Sequence, residues 1–304
     1  MHSWICTRIK RSSQSSNGGI IRLKSRRHPD WLKVPLGGGK RYAAVRRQLR
    51  SAQVHTICEE AKCPNIGECF NRGTATFLIL GDTCTRNCAY CNVKHGKPQT
   101  LDSNEPKHIA ESVKQLGLSY AVITSVTRDD LDDGGAEHFF NTIKEIKQMN
   151  PTCKVEVLIP DFNGDVDALD KVLLAQPVML NHNIEVVSSL FQTMRPQGDY
   201  DQSLQVLKES RRLHPNIPTK SGFMIGLGET TEEILGLLDD LRSVHVNYLT
   251  IGQYLQPTTK HAKVKKYYTP SEFDFFKKKA LEKGFIHVES GPLVRSSYRA
   301  EQFI

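Results

Sequence analysis

Long apolar runs are missing from this sequence, which nowhere approaches the roughly 18 consecutive apolar residues of a membrane helix, so no membrane span is expected and the protein reads as soluble. Acid is missing from the start of the chain. Residues 1–33 hold Arg8, Lys10, Arg11, Arg22, Lys24, Arg26, Arg27 and Lys33 against Asp30 alone, so nearly all of the net charge of +8 sits in the leader. The body is close to neutral, which argues against a nucleic-acid partner. The leader also lacks the apolar core of a secretory signal, and its Arg and Ser content fits a mitochondrial transit peptide over residues 1–28. The matrix is then the expected location, with the cytoplasm as the alternative if these residues are only a basic tail. Two cofactor motifs are absent as well. Gly37 to Gly39 before Lys40 have no preceding strand and no following Ser or Thr, as a phosphate loop requires, so they read as a linker. Gly226-Leu227-Gly228-Glu229 lacks the third glycine and distal acid of a dinucleotide site. It suits either a close backbone approach to a ligand such as adenine or a plain strand-to-helix turn.

From residue 76 onward, short β-rich apolar runs alternate with longer amphipathic ones, the pattern of repeated βα units. Strands are expected at 76–80, 120–124, 154–159, 178–181, 222–225, 248–253 and 285–288. Helices are expected near 105–116, 136–148, 165–175, 201–213, 231–244 and 270–283. Thr269 before Pro270, and Thr230 or Thr231 with Glu233, carry N-capping signals. Six or so units make an incomplete or complete parallel barrel, with reactive groups in loops at the C-terminal strand ends.

Eight cysteines occur, and six lie between positions 58 and 91 in two triplets. Cys58-x4-Cys63-x5-Cys69 precedes the first strand and Cys84-x3-Cys88-x2-Cys91 follows it. In a reducing compartment such clustering points to metal rather than disulfides. Zinc wants four ligands, and each triplet supplies three close thiols, although His95 completes a Cys3His set. Iron–sulfur clusters suit the same thiolates, and three ligands on four irons leave one iron open.

The second triplet, with Tyr90 and Asn92 around its last cysteine, resembles the radical S-adenosylmethionine (SAM) superfamily. The first triplet, together with Arg295-Ser296-Ser297-Tyr298, narrows the resemblance to the lipoyl synthase family. Further stretches in matching order run from Pro29-Asp30-Trp31-Leu32-Lys33 through Val126-Thr127-Arg128-Asp129-Asp130-Leu131 and Asn181-His182-Asn183-Ile184-Glu185 to Lys220-Ser221-Gly222. Val186, Gln197-Gly198 and Arg299 depart from the family pattern without touching a cluster ligand.

The resemblance implies an α/β fold, a partial (β/α)6 TIM-like barrel of the radical SAM type. It divides the chain into a leader (1–28), an N-terminal extension (29–75), the barrel (76–290) and a C-terminal tail (291–304), the two extensions carrying an auxiliary cluster. It implies two 4Fe-4S clusters: one on Cys84, Cys88 and Cys91 with SAM on the open iron, the other on Cys58, Cys63, Cys69 and Ser297. A serine oxygen is harder than thiolate and suits a ligand that leaves when the cluster opens. The implied reaction inserts sulfur from the auxiliary cluster at C6 and C8 of a protein-bound octanoyl-lysine, cleaving two SAM to methionine and 5′-deoxyadenosine. Unactivated methylenes offer no acidic proton, so hydrogen-atom abstraction is the route that reaches them. The implied partners are the octanoylated lipoyl domains of 2-oxoacid dehydrogenase E2 subunits and the glycine cleavage H protein, a reductant such as ferredoxin, and iron–sulfur delivery proteins.

Polar residues near strand ends, namely Thr127, Arg128, Asp129, Asn183, Glu185, Arg195 and Lys220, are candidates for SAM contacts. His138, His214 and His245 read as packed or solvated, Cys153 as a small apolar residue, and the basic run 260–266 as a solvated loop able to attract an acidic partner. Two rivals stay open: another radical enzyme with an auxiliary cluster, and a zinc-stabilised interaction protein.

Overall fold

The computed structural model describes residues 29–33, 38–52, 54–72 and 75–303. The expected transit peptide, Cys6 and part of the glycine linker lie outside them.

The N-terminal extension holds α1 (Lys40–Ser51), the short strand β1 (His55–Thr56), α2 (Ile57–Glu60) and α3 (Ile66–Arg72). After it come β2 (Thr76–Ile79), the small pair β3 (Thr83–Cys84) and β4 (Lys94–His95), then α4 (Glu105–Leu116), β5 (Tyr120–Ser125), α5 (Ala136–Met149), β6 (Lys154–Leu158) and α6 (Val166–Leu174). The second half runs β7 (Met179–Asn181), α7 (Ser188–Met194), α8 (Tyr200–Leu213), β8 (Thr219–Ile225), α9 (Thr231–Ser243), β9 (Tyr248–Gln253), α10 (Pro270–Glu282) and β10 (His287–Gly291).

The main sheet has the order β1-β2-β5-β6-β7-β8-β9-β10, and every pair in it is parallel except β1 with β2. This is six βα units followed by a seventh parallel strand, the expected partial barrel, left open between β10 and β1. Strand residues such as Phe77, Ile123, Val155 and Val157 are fully buried, which is why the runs read as continuous apolar segments. The helices cover the outside. α9 and α10 begin in capping boxes, Thr230 with Glu233 and Thr269 with Glu272, and each box satisfies two otherwise orphaned N–H groups.

Several elements depart from the expected pattern, α1 and β8 among them. α1 follows the expected linker and is not among the expected helices. Its Val45 and Leu49, four residues apart, are buried, while Arg and Lys around them hide the stripe. β8 starts at Thr219 rather than Gly222, because Lys220 and Ser221 are buried inside it.

The C-terminal tail covers the open side. Val294 lies against Gly252, where an added Cβ would stand 2.3 Å from its carbonyl oxygen. The chain then runs back toward the strand beginnings, where Ser297 meets Thr76 and Phe303 packs edge-on to Tyr248 and His287. Tail and barrel are thereby joined through residues more than 200 positions apart.

Candidate active site

The radical-type triplet occupies the loop leaving β2 at its C-terminal end. Leu80 and Gly81 take left-handed backbone angles, φ 68° and 89°, and turn the chain into that loop. The Thr127 backbone N–H after β5 donates to Cys84 Sγ at 3.3 Å. His261 Nε2 lies 2.9 Å from the Cys91 carbonyl oxygen, so the basic segment 260–266 is fastened to this loop rather than simply solvated.

Arg86, inside the triplet and missed in the sequence, anchors the loop. Its guanidinium donates to both carboxylate oxygens of Asp161 (2.6 and 2.8 Å), to both of Asp129 (2.9 and 2.8 Å) and to Asn163 Oδ1 (2.7 Å). Burial alone would raise the Asp161 carboxyl, but Arg86 overrides it and holds Asp161 below the usual range. Burial likewise works against the Arg86 charge, and its two carboxylates more than offset that.

Cys88 lies near Arg195, Tyr90 and Glu185. Burial raises the Cys88 thiol and the Glu185 carboxyl, and Arg195 opposes both shifts. Cys91 is pushed up to about 12 by burial and by Cys88, Cys84 and Glu185. Such thiols are protonated at neutral pH until a metal displaces the proton. At the ends of β5 and β7, the Ser125 hydroxyl, both Asn181 amide atoms, His182 Nε2 and Asn183 Oδ1 are buried without a partner among the described residues. Buried polar atoms of this kind ask for a polar ligand, and a SAM molecule beside the triplet fits them.

Some expected SAM contacts are already engaged. Arg128 donates to both Asp130 oxygens (2.8 Å each) and to the Leu80 carbonyl (3.1 Å), and Asp129 is held by Arg86 and Thr85. Both shape the loop. Lys220 lies near the start of β8, at the other end of the barrel, where its Nζ is 2.9 Å from Glu156 Oε1 with both side chains fully buried. Tyr120 donates to the other Glu156 oxygen at 2.7 Å, and the Phe303 ring lies 4.2 Å from Nζ. Lys220 is thus a buried ion-pair partner rather than a SAM contact. The Gly226 to Gly228 N–H groups are likewise used, all three donating to the Glu229 carboxylate (2.5 to 3.0 Å), so that loop is a self-closed turn and not an adenine cradle.

The other triplet stands at the opposite, N-terminal mouth. Cys58 on α2, Cys63 after it and Cys69 on α3 line one cleft together with Ser297, Arg295, and Thr76 and Tyr120, the first residues of β2 and β5. Thr76 Oγ1 is 2.7 Å from Ser297 Oγ, and Thr76 also hydrogen-bonds Cys58. Burial, reinforced by Cys63 and Cys69, pushes Cys58 up to about 12. The Asn65 amide donates to the Leu293 carbonyl at 2.6 Å, Tyr298 to Glu68 at 3.3 Å, and Arg72 to Glu301 at 2.6 Å, which fasten the tail over the triplet. β2, which runs between the two mouths, spans about 13 Å at about 3.3 Å per residue.

Among the described residues no three Cys, His, Asp or Glu side chains gather as they would around a single ion, and His95 is exposed.

Residues 78–241 match the radical SAM superfamily, and residues 7–63 match the N-terminal domain of lipoyl synthase of the radical SAM family. The lipoyl synthase of Caldicellulosiruptor saccharolyticus is 56% identical over 274 residues, 90% of this chain and 96% of that protein. The lipoyl synthase of Chloroflexus aurantiacus is 54% identical over 288 residues, 95% and 93% of the two chains. The chain belongs to the lipoyl synthase family. It is an enzyme, a radical SAM sulfurtransferase. Membership implies a 4Fe-4S cluster with SAM and a second cluster. Among solved structures, HydG, a maturase of the FeFe hydrogenase, superposes with a TM-score of 0.50 at 14% identity, covering 83% of this chain and 62% of its own. SuiB of Streptococcus suis gives 0.50 at 12% identity, covering 75% and 52%. These two likenesses concern the fold alone. No helix among the described residues is long and apolar enough to cross a membrane.

Proposed function

We propose that the chain is a lipoyl synthase in which Cys84, Cys88 and Cys91 hold the SAM-binding cluster, and Cys58, Cys63, Cys69 and Ser297 hold a second, sulfur-donating cluster. The observation that carries this reading is the meeting of Ser297 from the tail with three thiols of the N-terminal extension in one cleft, at the barrel mouth opposite the other triplet. When bound, the first cluster and SAM supply a 5′-deoxyadenosyl radical, and the second supplies the two sulfurs placed at C6 and C8 of an octanoyl-lysine.

The chain's own residues set the conditions for that chemistry. The Arg86 clamp fixes the loop of the first triplet, and the Thr127 N–H supports Cys84. Asn183, Glu185 and Arg195 line the C-terminal mouth, where the unpartnered amide atoms of β7 accept the polar parts of SAM. Thr76 donates to the Ser297 hydroxyl oxygen and orients it as a hard ligand that thiolates outcompete for iron. The barrel wall between the mouths excludes water from a carbon radical.

The carrier proteins are octanoylated lipoyl domains of 2-oxoacid dehydrogenase E2 subunits and the glycine cleavage H protein. Electrons come from a reductant such as ferredoxin, and iron–sulfur delivery proteins rebuild the second cluster. The basic leader directs the chain to the mitochondrial matrix, which a reporter fused to residues 1–28 tests. The activity is tested by incubating anaerobically reconstituted protein with SAM, dithionite and an octanoyl-lysine peptide. Lipoyl-lysine with two 5′-deoxyadenosine per product is expected by mass spectrometry, and 5′-deoxyadenosine without peptide sulfur would reject the assignment.

A further inference from the structure

Arg295 lines the same cleft as Cys58, Cys63, Cys69 and Ser297. Two arginines buried in the barrel meet carboxylates, Arg86 with Asp129 and Asp161 and Arg128 with Asp130. Arg295 has no such carboxylate among the described residues, and its one hydrogen bond there is to the neighbouring Val294 carbonyl at 2.6 Å. The barrel makes room for it: a Cβ on Gly252 would stand 3.3 Å from Arg295 Nη1. It shares the cleft lining with Cys63, and their charges interact. A guanidinium partly withdrawn from water without an anion is unfavourable, and the anion this cleft offers is the thiolate set itself.

We infer that Arg295 is a positioning residue that supplies the compensating positive charge for the second cluster, an inference that rests on the proposed assignment of that cluster to this cleft. Three thiolates on an iron–sulfur cube concentrate negative charge. A fixed guanidinium beside Cys63 stabilises that charge and favours the more reduced cluster, without being an iron ligand.

The test uses the full chain with Cys84, Cys88 and Cys91 changed to Ala, so that only this cluster loads. Iron and sulfide content, midpoint potential and the rate of iron loss to a chelator are measured in this parent and in Arg295→Met and Arg295→Lys added to it. The parent should hold about four irons. R295M should show a lower midpoint potential and roughly tenfold faster iron loss, as outer partners of metal ligands commonly do, while R295K stays near the parent. Parental potential and iron loss in R295M would overturn the inference. If R295M loads no iron, loading of R295K at parental potential supports the charge requirement, and failure of R295K as well rejects it. A parent without iron would instead reject the cluster assignment itself.

Discussion

The two triplets are held by different means. At the C-terminal mouth, Arg86 sits inside the loop it anchors, is nearly inaccessible to water and is bound by two carboxylates. At the N-terminal mouth, the triplet and its serine come from opposite ends of the chain. The ties that join them are single hydrogen bonds and half-exposed pairs such as Arg72 with Glu301. A site that binds and releases SAM repeatedly needs a frame that does not move. A site whose cluster is consumed must open to be refilled, and half-exposed contacts can part at little cost.

Breaking the stronger side should have the largest effect. Arg86→Gln leaves Asp161 buried and charged without its partner, which costs about 3–5 kcal/mol. Denaturant unfolding of the apo protein should show that loss, and the reconstituted variant should retain only the iron of the second triplet. A variant with normal stability and both clusters would show that the clamp is not what fixes the loop.

The next effect belongs to the same mouth. Burial, with Arg195 nearby, lowers His182 from its ordinary 6.5 to about 4. The folded protein therefore keeps His182 neutral where the unfolded chain takes up a proton. Above pH 6.5 this costs nothing, and as pH falls from 6.5 to about 4 stability is lost, reaching roughly 3 kcal/mol at about 1.4 kcal/mol per pH unit. His182→Gln should show a correspondingly shallower decline over that window. Parallel declines in the two proteins would remove His182 as the cause.

Local signals were legible in the sequence and long-range ones were not. The cysteine triplets, the capping boxes and the apolar runs of β2, β5, β6 and β9 each lie within a few residues, and the structure places them where the spacing put them. Cys153 is buried as an apolar residue beside its strand, and His138 and His214 pair with Glu105 and Asp170. Arg86 carries no local signal because its partner Asp161 is 75 positions away. Lys220 hid the start of β8 for the same reason, being acceptable in a buried strand only because Glu156 faces it from 64 positions upstream. The part of Ser297 in the cleft could be read from the family resemblance and not from its own neighbourhood, which is an ordinary polar turn.

The weaker side yields a smaller change in a different observable. Ser297→Cys replaces a hard oxygen with a soft thiolate at the one cluster-ligand position proposed for the tail. The second cluster should load fully in this variant, and lipoyl formation should fall at least about tenfold, equivalent to roughly 1.4 kcal/mol in the barrier. 5′-Deoxyadenosine release should continue, because the first triplet is untouched. Full turnover would refute the idea that the serine must leave.

The smallest effect separates holding the tail from holding the fold. Glu301→Gln removes the half-exposed pair with Arg72, a contact that contributes about 0–1 kcal/mol, so global unfolding should change little. If the tail is a latch, the loss should appear in local opening instead. Amide exchange of residues 293–303 should quicken, and a chelator should take iron from the second triplet faster than from the first. Equal acceleration at both triplets would mean that the tail supports the barrel as a whole, and the contrast between a fixed mouth and an opening one would not stand.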